Sequence, residues 1–264
     1  MAKSTKNKTI TATIVLYNEN VAELSKTIDS FMGITQSKKL FLVDNSPTNV
    51  LKEKFIHPDI DYIFIGKNIG FGAAHNKVIN TIKNLSNYHL VLNPDVTFQP
   101  HVIPNLIDKI KENKKTAMIS PRVLFPNGDH QYTSRKYPTL SELIIRRISF
   151  LNSVFPSIIK EGEYRDSDLS QPFEPDFLHG CFLLFKTEVF IKLKGFDERY
   201  FLYMEDVDIC KKMDEHGFKK LYFPDVEIVH VLKKRSLKNL KLFTYHTISV
   251  FQYFYKWNIK KRKK

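Results

Sequence analysis

Cysteine is scarce: Cys181 and Cys210 are the only two in 264 residues, and they form no Cys-X-X-Cys pair. This argues against a disulfide scaffold or a thiolate zinc site and predicts two reduced, semi-buried thiols in a cytoplasmic protein. Long apolar runs are missing too. The stretch TITATIVLY is too short and too interrupted by Thr for a signal peptide, and no run reaches membrane-spanning length, so the chain is expected to be soluble or peripheral. Neither a Gly-X-Gly-X-X-Gly fingerprint nor a P-loop occurs, which removes support for hydride transfer and ATP hydrolysis. Acids, finally, are absent from both ends. Lys3, Lys6 and Lys8, with the eleven Lys and Arg of 233–264, make 14 of the 41 bases, leaving 27 bases against 28 acids over 9–232. The formal charge of +13 therefore sits in the tails, and a core that binds nucleic acid would need it spread over its surface.

The C-terminal tail, KKRSLKNLKLFTYHTISVFQYFYKWNIKKRKK, sets aromatics, Ile248 and Val250 between two basic clusters. Two readings stand side by side. It is either a helix lying on an anionic membrane surface, or a helix packed on the domain and followed by a basic end.

Over the first half, strand-like and helix-like segments alternate, which predicts an α/β fold with a mostly parallel central sheet flanked by helices. Strands are expected at 9–17, 39–43, 62–65, 88–92 and 116–120. Val21, Leu24, Ile28 and Phe31 mark one helix, with Gly33 as its stop; Val78, Ile82 and Leu85 mark another, and Ile103, Leu106, Ile107 and Ile110 a third. The rhythm breaks after Pro121. A hairpin or loop with Asn127 and Gly128 at its tip is expected, then one amphipathic helix over 141–160 with Arg146 and Arg147 on its polar side, then a mobile polar loop. The segment 121–177 thus reads as an insertion and a natural seat of specificity. From Leu178 order returns as a strand, a short helix over 186–193, an acidic helix, and strands at 219–223 and 226–231.

In open α/β sheets ligands bind beyond the carboxyl ends of the strands. IVLYNE places Tyr17 and Asn18 there, FLVDNS places Asp44 and Asn45, and KNIGFGAAHN brings Gly70 and Gly72 to a helix start. HLVLNPDV delivers Asn93, Pro94 and Asp95, and a carboxylate at that rim suits a hard cation such as Mg²⁺ or Mn²⁺ on diphosphate oxygens. An isolated Asn-Pro-Asp is more often a turn cap. In FLYMEDVDICKKM, Ile209, Cys210 and Met213 define a buried helical face over 205–216, with Gly217 as the stop. Asp206 falls near the middle of that stripe, Glu205 toward one edge and Asp208 near the opposite side. First-turn acids often serve only the helix dipole, but one that points inward is the candidate general base, and Asp206 is that residue. His230, on VEIVHV, is either a satisfied core histidine or a metal ligand opposite Asp95.

In this order, IVLYNE, DNS, NIGFGAAHN, LNPDV, PRVLFPNGDHQYTSRKYPTL and GFDERYFLYMEDVDICKKMDEHGFKKLYFPDVEIVH resemble the family 2 glycosyltransferases, especially their rhamnosyltransferase-like branch, over most of the chain. The resemblance implies a single GT-A domain over 1–232, with a nucleotide-sugar-binding half at 9–120, the acceptor-side insertion at 121–177 and a catalytic half at 178–232, followed by the basic tail 233–264. It implies an inverting, metal-dependent sugar transfer from a nucleotide-diphosphate donor (dTDP-rhamnose first, UDP-sugars next) to a glycan or lipid-linked acceptor at the inner face of the cell membrane. Carried over, Tyr17, Asn18 and Asp44 hold the nucleoside, the loop of Asn68, Gly70, Phe71 and Gly72 packs beside it with Asn76 and Asn93, Asp95 and His230 bind Mg²⁺ or Mn²⁺, and Asp206 is the base. Asn93 departs from the acid many relatives carry, and His179, Gly180 and Cys181 stand where a Gly-Ala pair is common. Two rivals lack their own signals. A sugar-phosphate nucleotidyltransferase needs a Gly-rich basic loop after the first strand, where YNENVAEL stands, and a non-enzymatic membrane- or nucleic-acid-binding module needs a basic core.

Overall fold

A computed structural model of the chain describes residues 8–231 and 240–262; Lys3, Lys6 and the bases of 232–239 lie outside the described residues. Ten strands form: β1 Lys8–Leu16, β2 Lys38–Asp44, β3 Ile60–Phe64, β4 Ser86–Leu92, β5 Val96–Phe98, β6 Thr116–Leu124, β7 Ser134–Arg135, β8 Phe177–Leu178, β9 Phe182–Lys186 and β10 Lys219–His230. Eight of them make one sheet in the order β3-β2-β1-β4-β9-β6-β10-β5, and β7 pairs with β8 apart from it. Neighbours are parallel from β3 through β4 and between β6 and β10, while β9 runs antiparallel to β4 and β6, and β5 antiparallel to β10. The central strands are continuous apolar runs because both faces of the sheet are covered.

The helices are α1 Val21–Met32, α2 Phe71–His75, α3 Ile79–Ile82, α4 Val102–Lys111, α5 Leu140–Arg147, α6 Ser149–Val154, α7 Pro156–Gly162, α8 Thr187–Lys192, α9 Glu205–Glu215 and α10 Leu240–Arg262. On one face of the sheet α1 and α4 bury Leu24, Ile28, Phe31, Ile103, Leu106 and Ile110. On the other face Val78, Ile82, Phe190, Ile209 and Met213 close a second core, to which α10 contributes Tyr253 and Trp257. Asn20 caps α1, its side chain accepting from the backbone N–H of Ala22 and Glu23.

The expected strands all form, with three differences. Strand β6 continues to Leu124, past the expected insertion boundary, because its end pairs with β10. The strands expected at 219–223 and 226–231 are one strand, β10, bent by a register shift between Phe223 and Glu227. The strand expected from Leu178 is interrupted at 179–181, leaving β8 and β9.

The single helix expected over 141–160 is three, α5 to α7. Ile148 adopts extended backbone (φ −102°, ψ 106°), and Pro156, which cannot donate within a helix, opens α7. Nor is 161–176 a free polar loop. The Glu163 carboxylate accepts from Arg146 Nη1 at 2.7 Å and Arg165 Nε at 2.6 Å, and Phe173 bridges to Tyr222. Both cysteines are free and fully buried.

Candidate active site

The topology gathers loops from both halves of the sheet at one rim. Strands β1, β2 and β4 end there, and β9, antiparallel to β4, begins there, so Leu92 stands opposite Phe182 and Asn93 N–H donates to the Cys181 carbonyl at 2.9 Å. The short pairing of β5 with β10 sets His230 opposite Val96, and Val231 N–H donates to the Asp95 carbonyl at 3.0 Å. Residues 95 and 230, far apart in sequence, are thereby held side by side.

Two lobes of one cleft open at this rim. The larger, about 620 Å³, is lined by Tyr17, Asn45, Asn68, Gly70, Asp95 and, from the start of α10, Lys241 and Tyr245. The smaller, about 400 Å³, is lined by Arg135, Arg146, Arg147, His179, Glu205 and Asp206. Phe71, Asn93, Leu202, Tyr203 and His230 line both. The lobes therefore meet between Asp95 and Asp206.

Gly70 shapes the larger lobe. Its φ is +94°, and a Cβ there would lie 2.5 Å from the Phe201 carbonyl oxygen, to which Phe71 N–H donates at 2.9 Å. Only glycine combines that backbone with that approach. Asn68 Oδ1 accepts from Gly70 N–H at 3.0 Å and holds the turn. Tyr17, Asn68, Gly70, Phe71, Asn93 and Asp95 line the cleft as the sequence leads one to expect.

Asn18, Asp44, Gly72 and Asn76 do not. Asn18 turns away at φ 55°, its N–H donating to Ser46 Oγ at 2.8 Å. Asp44 is fully buried behind the wall, accepting from Ser46 N–H and from the Tyr62 hydroxyl. Gly72 makes room for Phe196, whose Cβ would be 2.8 Å from an added Cβ. The Asn76 amide is spent on the Phe196 backbone, accepting at 3.0 Å and donating at 2.9 Å, and on Glu198. These four support the rim from behind.

Asp95 and His230 have the makings of a cation site. His230 Nδ1 pairs with Gln131 Oε1 at 2.9 Å, which directs Nε2 toward Asp95 Oδ1, 3.3 Å away. That carboxylate oxygen is buried and, among the described residues, accepts no hydrogen bond. Burial opposes charge on His230, but the Cys181 sulfur and the Asp95 carboxylate outweigh it and raise its pKa to about 10. A hard cation fits this arrangement, since it would meet the orphaned oxygen and displace the proton. Among the described residues no third His, Cys, Asp or Glu joins these two around a common point.

Helix α9 departs most from its expected orientation. Asp208, expected near the solvent side, is fully buried, its carboxylate accepting from Lys256 Nζ at 2.6 and 2.8 Å, Trp257 Nε1 at 2.9 Å and the Tyr200 hydroxyl at 3.1 Å. Glu205 is buried as well, with one carboxyl oxygen unpaired. The reason is that α10 covers the side of α9 that periodicity assigns to water. Glu205 and Asp206 both line the smaller lobe, and Asp206 is the one fixed there by backbone N–H groups. Its Oδ2 accepts from Gly180 N–H at 3.1 Å and its Oδ1 from Val207 N–H at 2.9 Å. Burial raises its pKa, against the pull of these backbone bonds and of Arg135. Burial and the neighbouring Asp206 charge hold Glu205 well above the usual carboxylate range. Two residues in left-handed backbone, Tyr203 and Met204, both at φ 69°, turn the chain into α9.

Sequence reasoning missed the aromatic wall of Phe201, Tyr203 and Tyr245 and gave Arg135 no role. Their one visible signal was the aromatic run just before the acidic helix.

A model of the glycosyl transferase family 2 matches residues 11–194. Rhamnosyltransferase WbbL of Escherichia coli (strain K12) is 30% identical over 241 residues, 87% of this chain and 87% of its own length. The N-acetylglucosaminyl-diphospho-decaprenol L-rhamnosyltransferase of Mycobacterium tuberculosis (strain CDC 1551 / Oshkosh) is 28% identical over 203 residues, 72% of this chain and 66% of its own length. Among solved structures, GalNAc-T7 with UDP, GalNAc and Mn²⁺ superposes with a TM-score of 0.64 at 17% identity, over 86% of this chain and 44% of that one. The mannosyltransferase PcManGT from Pyrobaculum calidifontis, in complex with GDP-Man and Mn²⁺, gives 0.59 at 16% identity, over 89% of this chain and 60% of that one. The fold they share with this chain is GT-A.

Proposed function

The chain belongs to glycosyl transferase family 2, and from that premise we propose an inverting, cation-dependent transfer of a sugar, rhamnose first, from a dTDP- or UDP-linked donor to a lipid-linked glycan acceptor. The observation that carries the reading is the two-lobed cleft, with a cation site facing the larger lobe and a carboxylate base facing the smaller. The donor occupies the lobe of Tyr17, Asn68 and Asp95. The acceptor occupies the lobe of Asp206, where Arg135, Arg146 and Arg147 suit an anionic diphosphate linker such as the mycobacterial relative's name describes. The rhamnosyltransferase relatives support the sugar, and the Mn²⁺ complexes of the structural neighbours support the cation. The enzyme then works at the cytoplasmic face of the membrane.

Asp206, ionised and fixed by Gly180 and Val207, takes the proton of an acceptor hydroxyl. The hydroxyl oxygen bonds to the donor's anomeric carbon as the bond from that carbon to the diphosphate breaks, on the opposite side, so the configuration inverts. Asp95 and His230 would hold a divalent cation, Mg²⁺ or Mn²⁺, which would supply positive charge for the diphosphate.

Calorimetric titration with dTDP, UDP, GDP and CDP, with and without Mg²⁺ or Mn²⁺, tests the donor site. One nucleotide should bind only with the cation, and Asp95→Ala should weaken it by about 10-fold or more, as loss of a charged ligand does. Binding that ignores both the cation and Asp95 would remove the donor-site assignment.

A further inference from the structure

Of the two expectations for the tail, the helix packed on the domain is the one that forms. Its helix α10 is packed on the domain by one side: Tyr253 and Trp257 are buried, Ser249 Oγ donates to the Leu202 carbonyl at 2.9 Å, and Lys256 is tied to Asp197 and Asp208. The opposite side is left to solvent. Leu240, Thr244, Thr247, Ile248, Phe251 and Tyr255 fall within about 100° of arc on an ideal helix, and no charged residue shares that arc before Arg262. Leu240 is 80% exposed, and Phe251 and Tyr255 70% each.

A second apolar stripe lies beside it, on the insertion. Leu140, Ile144 and Ile148, four residues apart, are all exposed, and Phe150 (73% exposed), Val154 and Phe155 continue the stripe along α6. Helices α5 and α10, which carry the two stripes, meet where the Arg147 guanidinium lies 4.1 Å over the Phe243 ring. Arg147, Leu143 and His246 at this junction also line the acceptor lobe. Exposed apolar surface on this scale marks an interaction site in a folded monomer.

We propose that α5, α6 and α10 together form a face that seats on an anionic lipid bilayer, with the acceptor lobe opening at its edge. Charge chooses the occupant. The tail holds eleven Lys and Arg and no acid, so a bilayer bearing negative headgroups is attracted to the face while its aromatic and aliphatic side chains settle among the headgroups and upper acyl chains. A second copy pairing through the same patch would bring two such tails together, and like charges oppose that contact. Among the described residues no helix is long and apolar enough to cross a membrane, so the seat is on the surface. The proposal deepens the lipid-linked acceptor reading, and its test uses vesicles without acceptor so that the two stand or fall separately.

The full chain is sedimented with phosphatidylcholine vesicles with and without phosphatidylglycerol, as wild type, Phe150→Ser, Phe251→Ser and the double variant. Wild type should bind the anionic vesicles, and each substitution should weaken partitioning by about 10-fold, the loss of a buried aromatic ring, with thermal midpoint and transfer to a water-soluble acceptor unchanged. Failure of wild type to bind would overturn the proposal, as would variants that bind as well as wild type, since attraction would then be due to charge alone. Sedimentation equilibrium supplies the remaining arm: a dimer that both substitutions dissociate would assign the face to a second copy instead.

Discussion

The carboxylates of α9 have three different fates within one turn of helix. Asp206 lines the cleft with its carboxylate oxygens held by backbone N–H groups, Glu205 is buried beside it with its proton affinity raised, and Asp208 is a structural carboxylate with four donor contacts from three side chains. The pH dependence of turnover follows from the first. A base must be ionised to accept a proton, and burial raises the pKa of Asp206, so activity is lost as pH falls, at a higher pH than an ordinary aspartate near 3.9 would give. A pH profile of kcat with saturating donor should show this acid limb, and Glu205→Gln, which preserves a neutral neighbour, should leave it nearly in place. Asp206 was legible from the resemblance and from its place on the helix, but the stripe argument ranked its neighbours wrongly. Periodicity assumes one wet side, and α9 has hardly any. Asp95 and His230 were legible as a pair only as one of two readings of His230, because the β5 and β10 pairing that joins them rests on a strand of three residues.

At the scale of elements, the catalytic helix and the C-terminal helix are fastened through Asp208. Lys256 Nζ reaches both of its carboxylate oxygens and also Asp197, whose pKa, despite burial, is lowered to about 2 by Lys256 and Arg199. Asp208→Asn leaves Lys256 buried with one partner fewer, and should lower stability by about 3 kcal/mol, the low end for breaking a buried ion pair. Chemical denaturation measures it, and Asp208→Asn combined with Lys256→Met should recover part of the loss. None of this was written in the local pattern. Lys256 reads as one more base of a basic tail until the fold shows what lies beneath it. The opposite lesson comes from α5 to α7, where Pro156 did announce a helix start, and a continuous apolar periodicity hid it.

At the scale of the whole molecule, the β–α alternation, the rim location of the site and the confinement of excess charge to the ends were all legible, since they depend on composition and period. The burial of histidines was not, since it depends on what packs around them. His75 and His89 are fully buried and neutral, burial lowering the pKa of His89 to about 3 and that of His75 well below its usual value. Unfolding below pH 6.5 lets both bind protons, so their contribution to stability is present above that pH and is lost as pH falls. Net proton uptake on unfolding should therefore lower stability as pH falls below 6.5. Denaturation at pH 7, 6 and 5 checks it, and His75→Leu should flatten the slope.

The central claim is that Asp206 removes the acceptor's proton. Steady-state transfer from the identified nucleotide sugar, measured for wild type and Asp206→Asn alongside donor binding by calorimetry, tests it most directly. The account predicts a fall in kcat of about 10² or more with donor affinity nearly unchanged, the usual contribution of a general base; an Asp206→Asn enzyme that turns over like wild type would contradict it.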